Sequence, residues 1–145
     1  MLRVLLAIIG LMFLSAPVMA ETFEVKMLNR GDKGPMVFEP DYLKIKPGDK
    51  VIFKATHRSH NAASIKEMMP EGATPFMGKI DEEREITFDV PGFYGIKCTP
   101  HYAMGMIMMI KVGEATMPDA YRDVKQPGVA RKRFDEIFER IDAGE

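Results

Sequence analysis

The sequence contains a single cysteine, Cys98, in 145 residues. An internal disulfide framework is therefore excluded as the means of holding the fold together. A strong charge of either sign is also missing. The formal net charge is −1, which gives no electrostatic footprint for nucleic acid and leaves charged recognition to local patches. Nor is there an apolar run of the roughly 20 residues that a membrane-spanning helix needs. No internal repeat or low-complexity segment is present, and the 46% hydrophobic and 28% charged composition suits one ordinary globular domain.

The first twenty residues differ from the rest. Arg3 is their only charge, and an apolar stretch from Val4 to Leu14 is followed by small residues around Val18-Met19-Ala20. A basic start, a short apolar core and a Val-x-Ala ending predict a secretory signal peptide over residues 1–20, cleaved after Ala20. Export to the periplasm, with no membrane association after cleavage, is the corresponding expectation. The mature chain from Glu21 then carries 19 Lys and Arg against 21 Asp and Glu. An exported protein meets oxidising conditions, in which a lone thiol is vulnerable. Cys98 must be buried, bridged to another molecule, or used by a metal or a reaction.

Period-two alternation dominates from Thr22 to about Val112. Phe23, Val25 and Met27 mark a first strand. Leu43 and Ile45 run into the turn Pro47-Gly48-Asp49, and Val51 to Phe53 follows as a more fully buried strand. Ile86, Phe88 and Val90 precede the turn Pro91-Gly92, and Phe93–Cys98 and Met106–Val112 complete the set. Many short strands punctuated by turns indicate a β-sandwich or barrel, over residues 21–113. Ser64–Met69 interrupts it as a short predicted helix stopped by Pro70. Residues 117–141 have helical composition, with Met117–Gln126 and Val129–Ile141 separated by Pro127-Gly128. Phe134, Ile137, Phe138 and Ile141 form an apolar stripe, which is expected to pack back on the sandwich and carries no candidate ligand.

The residues from Cys98 to Met106 read C-x2-H-x4-M, in a loop between two predicted neighbouring strands. His60 lies 38 residues before Cys98, just after another strand, and a sandwich can bring it to the same end. One thiolate, two imidazoles and a thioether are a soft, mixed donor set. A His₂Cys plane with a weak axial Met is the set used by electron-transfer copper sites. Cys98, His60, His101 and Met106 are the candidate copper ligands, one ion per chain. Placing three of them on one tight loop fixes their relative positions, and metal binding would explain the lone cysteine. Met108 and Met109 continue a strand and read as core, since Met is a soft packing residue. His57 fits a solvated strand end better than a ligand position.

Three other chemistries stand beside this reading. A cysteine-nucleophile enzyme could use Cys98 and His101, but it requires an orienting third residue that the Met-rich loop does not offer. A copper chaperone would favour exposed, exchangeable ligands. A structural zinc module would find Met a poor ligand.

Ser59-His60-Asn61, Met69-Pro70-Glu71-Gly72-Ala73 and Lys97 to Met106 resemble the cupredoxins, and within them the pseudoazurin family. The similarity covers roughly the whole mature chain, and the helical tail selects this branch over the plastocyanins, which share the loop spacing. The resemblance implies a mainly β protein: an eight-stranded Greek-key sandwich, residues 21–145 as one cupredoxin domain, with two short carboxy-terminal helices. It implies a non-enzymatic one-electron carrier with a partly exposed His101 as electron port and a buried His60. Asn61 would tie the His60 loop to Thr99, and its backbone N–H would reach the Cys98 sulfur. Met36 would lie near the His101 ring, although packing alone would account for it. Docking would use Met36, Pro35, Pro100 and Met104, ringed by Arg30, Lys33, Arg58, Lys66, Lys79 and Lys97. The implied partners are nitrite reductase, nitrous oxide reductase or a cytochrome, met by a monomer.

Overall fold

The computed structural model describes residues 19–145; the predicted signal segment lies mostly outside them. Among the described residues, eight strands form two four-stranded sheets. They are β1 (Thr22–Gly31), β2 (Gly34–Glu39), β3 (Tyr42–Ile45), β4 (Asp49–Lys54), β5 (Ala63–Ser64), β6 (Arg84–Phe88), β7 (Gly92–Lys97) and β8 (Ile107–Val112). One sheet runs β2-β1-β4-β6 and the other β3-β8-β7-β5. Strand β1 is parallel to β4, and β3 to β8, while the remaining pairs are antiparallel. The predicted sandwich is thus observed, with β2 and the two-residue β5 added to the strands that alternation alone had marked.

Alternating inward residues of both sheets meet in one core. Val25, Met27, Phe38, Val51, Phe53, Phe88, Ile96, Met108, Ile110 and Val112 are all buried in it. Each such side chain contributes on the order of 1.5–3 kcal/mol through the water it leaves. Strand β8 shows why Met108 and Met109 do not alternate in character. Met108 faces the inter-sheet core, whereas Met109 faces a second layer on the other side of its sheet. A strand covered on both faces reads as a continuous apolar run.

That second layer comes from the carboxy-terminal segment. Helix α2 (Ala130–Asp142) buries Ala130, Phe134, Ile137 and Phe138 against Met68, Phe93, Ile107 and Met109. The stripe predicted there is the packed face, with Ile141 half-buried at its end. The preceding helix, α1 (Ala120–Asp123), is only one turn long, shorter than the predicted Met117–Gln126. The segment after β5 forms a 3₁₀ turn, Lys66–Met68, in place of the longer predicted helix. Gly95 makes room for it: a Cβ there would stand 2.8 Å from Cβ of Met68.

Buried Asp49 ties the base of the sandwich. Its Oδ1 accepts from the Glu21 backbone nitrogen at 2.8 Å and its Oδ2 from Lys46 N–H at 2.7 Å.

All four tyrosines have their pKa pushed up by burial, Tyr94 and Tyr102 to about 12. Tyr94 also donates its hydroxyl to the Val90 carbonyl at 2.7 Å. The unfolded chain, with tyrosines near pH 10, loses these protons first. Stability contributed by the neutral phenols is therefore complete below about pH 10 and lost as pH rises toward about 12. Urea midpoints measured across pH 8–12 should fall steeply above about pH 10, and Tyr94→Phe should remove about one proton's share of that slope.

Candidate metal centre

Strand pairing delivers the candidate donors to one end of the sandwich. Cys98 follows the last residue of β7, and Lys97 is paired with Ala63 of β5, so the His60-Asn61 stretch is drawn to the same place. The chain from β4 to β5 carries His60 across from one sheet to the other. Beyond Cys98 the backbone folds into overlapping turns. The Cys98 carbonyl accepts from His101 N–H at 3.3 Å, and the His101 carbonyl accepts from both Met104 and Met106 N–H at 3.1 Å. Cys98 N–H donates to the Met106 carbonyl at 2.9 Å, closing the loop at its neck. Gly105, at φ +88°, supplies the left-handed turn that returns the chain to β8.

Among the described residues, one cluster gathers donors suited to a metal: His60, Cys98 and His101. Sγ of Cys98 lies 3.8 Å from Nδ1 of His60 and 3.5 Å from Nδ1 of His101, and the two nitrogens are 3.0 Å apart. Bonds of about 2 Å to a central ion in a trigonal plane require donors about 3.5 Å apart, so this triangle has the size to fit one ion. His60, Cys98 and Met106 are 0% exposed, and Met106 shares the core cluster with Cys98. His101 is partly exposed.

The electrostatics suit metal donors. Burial, with repulsion from His101 and His57, lowers the pKa of His60 and favours the neutral imidazole. Its Nε2 lies 2.7 Å from Oδ1 of Asn29. An amide oxygen only accepts, so Nε2 carries the proton and the Nδ1 lone pair faces Cys98. Burial pushes the Cys98 thiol up, against the opposing pull of the Asn61 and His101 backbone N–H groups. A thiol desolvated in this way is a poor free nucleophile.

Asn61 is buried and joins three segments. Its Nδ2 donates to the Gly78 carbonyl at 2.9 Å and to Thr99 Oγ1 at 3.1 Å, and its Oδ1 accepts from Thr99 N–H at 2.7 Å. Met36, at φ +52°, packs against the cluster that contains Cys98 and Met106. Pro100 and Met104 are exposed, the latter by 46%. The Lys97 ammonium lies over the Tyr102 ring, 4.8 Å from its centre. Arg58 is highly exposed and sits 3.8 Å from Asp81, whereas Lys33 is held by Asp41 at 2.9 Å. His57 is not among the gathered donors; its Nδ1 accepts from Asn29 N–H at 2.9 Å.

Asn29 and Asp81 were not singled out by sequence reasoning. Asn29 lies near the end of β1, which the parallel pairing with β4 brings to the His60 rim. Asp81 accepts from Ser59 N–H at 2.6 Å and donates its own N–H to the His60 carbonyl at 2.9 Å, bracing His60 from both sides.

Residues 25–113 match the family of copper binding proteins of the plastocyanin/azurin type. A pseudoazurin from Paracoccus pantotrophus is 47% identical over 127 residues, covering 87% of this chain and 88% of that one. The structure of a pseudoazurin from a Sinorhizobium species superimposes with a TM-score of 0.82 at 41% identity, covering 86% of this chain and 99% of the other. A pseudoazurin from Hyphomicrobium denitrificans gives a TM-score of 0.74 at 41% identity, over 81% and 94% of the two chains.

Replacing Asn29 with Ala leaves the His60 ring without its partner while its Nδ1 remains in place. Copper affinity, measured by competition with a chelator, should fall about 10- to 100-fold.

Proposed function

The chain belongs to the plastocyanin/azurin family of copper-binding proteins, in which it is a copper electron carrier of the pseudoazurin branch and not an enzyme, and from that premise we propose its ligands, port and partners. His60, Cys98, His101 and Met106 hold the ion. The observation that carries this reading is the triangle of Nδ1, Sγ and Nδ1 atoms, with Met106 fully buried in the core cluster that contains Cys98. Copper bound there supplies a one-electron step between its cuprous and cupric states.

The chain's own residues do the rest. Asn29 fixes the His60 ring, Asp81 braces the backbone at Ser59 and His60, and Asn61 fastens its loop to Thr99, so the donors keep their places when the charge changes. The core in which Cys98 and Met106 are buried keeps water from them. His101 is the donor residue with exposure, so it is the port through which the electron passes. Buried donors do not suit a carrier that hands copper on, and a buried, desolvated Cys98 does not suit a nucleophile.

Around His101, exposed Pro100 and Met104 with part-buried Met36 form an apolar centre for docking, and Pro35 adjoins it. Arg58, Lys97, Lys66, Lys79 and Arg30 supply positive charge about it; Lys33 contributes less because Asp41 already pairs with it. This face suits a transient, monomeric carrier that meets periplasmic redox proteins: nitrite reductase, nitrous oxide reductase or a cytochrome. Residues 1–20 direct export and are then removed after Ala20.

Copper(II) added to the purified mature protein should produce an intense thiolate-to-copper visible band that a reductant bleaches reversibly. Cys98→Ser should abolish it; a wild-type protein that stays colourless with Cys98 reduced would refute the assignment. Lys97→Glu should slow electron transfer to nitrite reductase severalfold at low ionic strength and flatten its salt dependence. Stopped-flow rates measured across a salt series provide the check.

A further inference from the structure

Helix α2 carries no candidate ligand, yet the helix and the residues leading into it grip the metal-site loop at Tyr102, Ala103 and Gly105. The Tyr102 hydroxyl donates to Oε1 of Gln126. The Ala103 carbonyl accepts from Val129 N–H at 2.9 Å, and Gly128 sits so close to that carbonyl that a Cβ would collide with it. The Gly105 carbonyl accepts from Nη1 of Arg133 at 2.9 Å. Arg133 reaches further still: Nη1 also donates to the Met36 carbonyl at 2.6 Å, and Nη2 to the Pro35 carbonyl at 2.7 Å.

Three backbone carbonyls from two separate segments thus converge on one guanidinium. A planar fork of donors on a delocalised charge suits this task, because its N–H directions are fixed relative to one another. The stem of Arg133 also lies against Gly105, where a Cβ would stand 2.8 Å from Cδ and 3.0 Å from Nε. The helix cannot drift, since Phe134, Ile137 and Phe138 are buried beneath it. What the fork holds is mechanically coupled to the donors. Gly105 directly precedes Met106, whose N–H binds the His101 carbonyl and whose carbonyl binds Cys98 N–H. Met36 keeps a left-handed backbone, unusual for a side chain of its size, and packs against the cluster that holds Cys98 and Met106.

We propose that Arg133 is a positioning residue of the electron-transfer site: it clamps Gly105 and Met36 together and thereby sets the seat of Met106. Met106 would be the weak donor to copper, and the seat of such a donor is a lever on the reduction potential. The carboxy-terminal helix is then part of the redox machinery rather than a cover for the sheet. This inference rests on the copper reading above.

The test uses Arg133→Met, which keeps a stem against Gly105 and deletes the donors, and Arg133→Lys, which keeps the charge and loses the fork. In the metal-free protein, amide exchange at Gly105, Met106 and Ile107 is followed by NMR, with Val51 to Phe53 as the internal reference. Arg133→Met should speed loop exchange about tenfold or more without changing the reference. In the copper-loaded protein, both the relative intensities of the thiolate-to-copper bands and the reduction potential should move. Loop exchange at the wild-type rate would overturn the proposal. So would a shifted potential with unchanged bands and exchange, which assigns Arg133 to its charge alone. Arg133→Lys is judged by the same criteria should Arg133→Met fail to fold. The exchange measurement involves no copper, so a wild-type protein lacking the visible band would refute the copper reading without obscuring the clamp.

Discussion

The site depends on one small piece of backbone pairing. Ala63 and Ser64 are the whole of β5, and they join Lys97 and Ile96 at the edge of the second sheet. That register decides which residue of the crossing chain stands opposite Cys98. Because side chains alternate along a strand, slipping it by one residue would turn His60 and Asn61 out of their places. Two residues of ladder are weak alone. Asn61 reinforces them through Thr99 and Gly78, and Ala63 makes a second bridge to Met77. A strand too short to stand by itself is thereby fastened from both sides, and the join between the sheets becomes the place where donors meet.

Burial then gives those donors their character. An exposed thiol and two exposed imidazoles would each be hydrated, protonated according to pH and free to turn. Here the thiol is desolvated, His60 is biased to its neutral form, and its outer nitrogen is committed to Asn29. Turning the His60 ring out of the triangle would break its hydrogen bond to Asn29. His101 differs by being partly exposed. The asymmetry between two chemically equal imidazoles separates anchoring from exchange with the outside.

Much of this was legible in the sequence because it is local. Cys98, His101 and Met106 share one turn-rich loop, and their spacing carries the donor chemistry on its face. The sandwich was legible from period-two alternation. Other features were not, for definable reasons. Asn29 occupies an exposed position in β1 and reads as an ordinary outward residue; only the parallel pairing of β1 with β4 places it at His60. Arg133 reads as the polar face of an amphipathic helix, and its three carbonyl partners lie nearly a hundred residues away or in the loop. Strand β5 is too short to show a period. The one-turn α1 had helical composition, but the short stretch between Pro118 and Pro127 ends in extended backbone at Val124. The sequence and its resemblance pointed to the groups that bear chemistry and to the Asn61–Thr99 tie, but not to Asn29, Asp81 or Arg133, whose orienting contacts are distant along the chain.

The bond from Glu21 nitrogen to buried Asp49 acquires another meaning if the chain is cut after Ala20. A peptide N–H offers one proton and no charge, whereas a freed amino terminus is an ammonium with three. The same atom, at the same 2.8 Å, would change from neutral donor to cationic partner of a carboxylate that already braces the Lys46 turn. Maturation would then tighten the end of β1 that it exposes, the end where a newly made terminus is most prone to fray. The strand whose first end such a cut would free carries, near its other end, the Asn29 that partners the His60 imidazole.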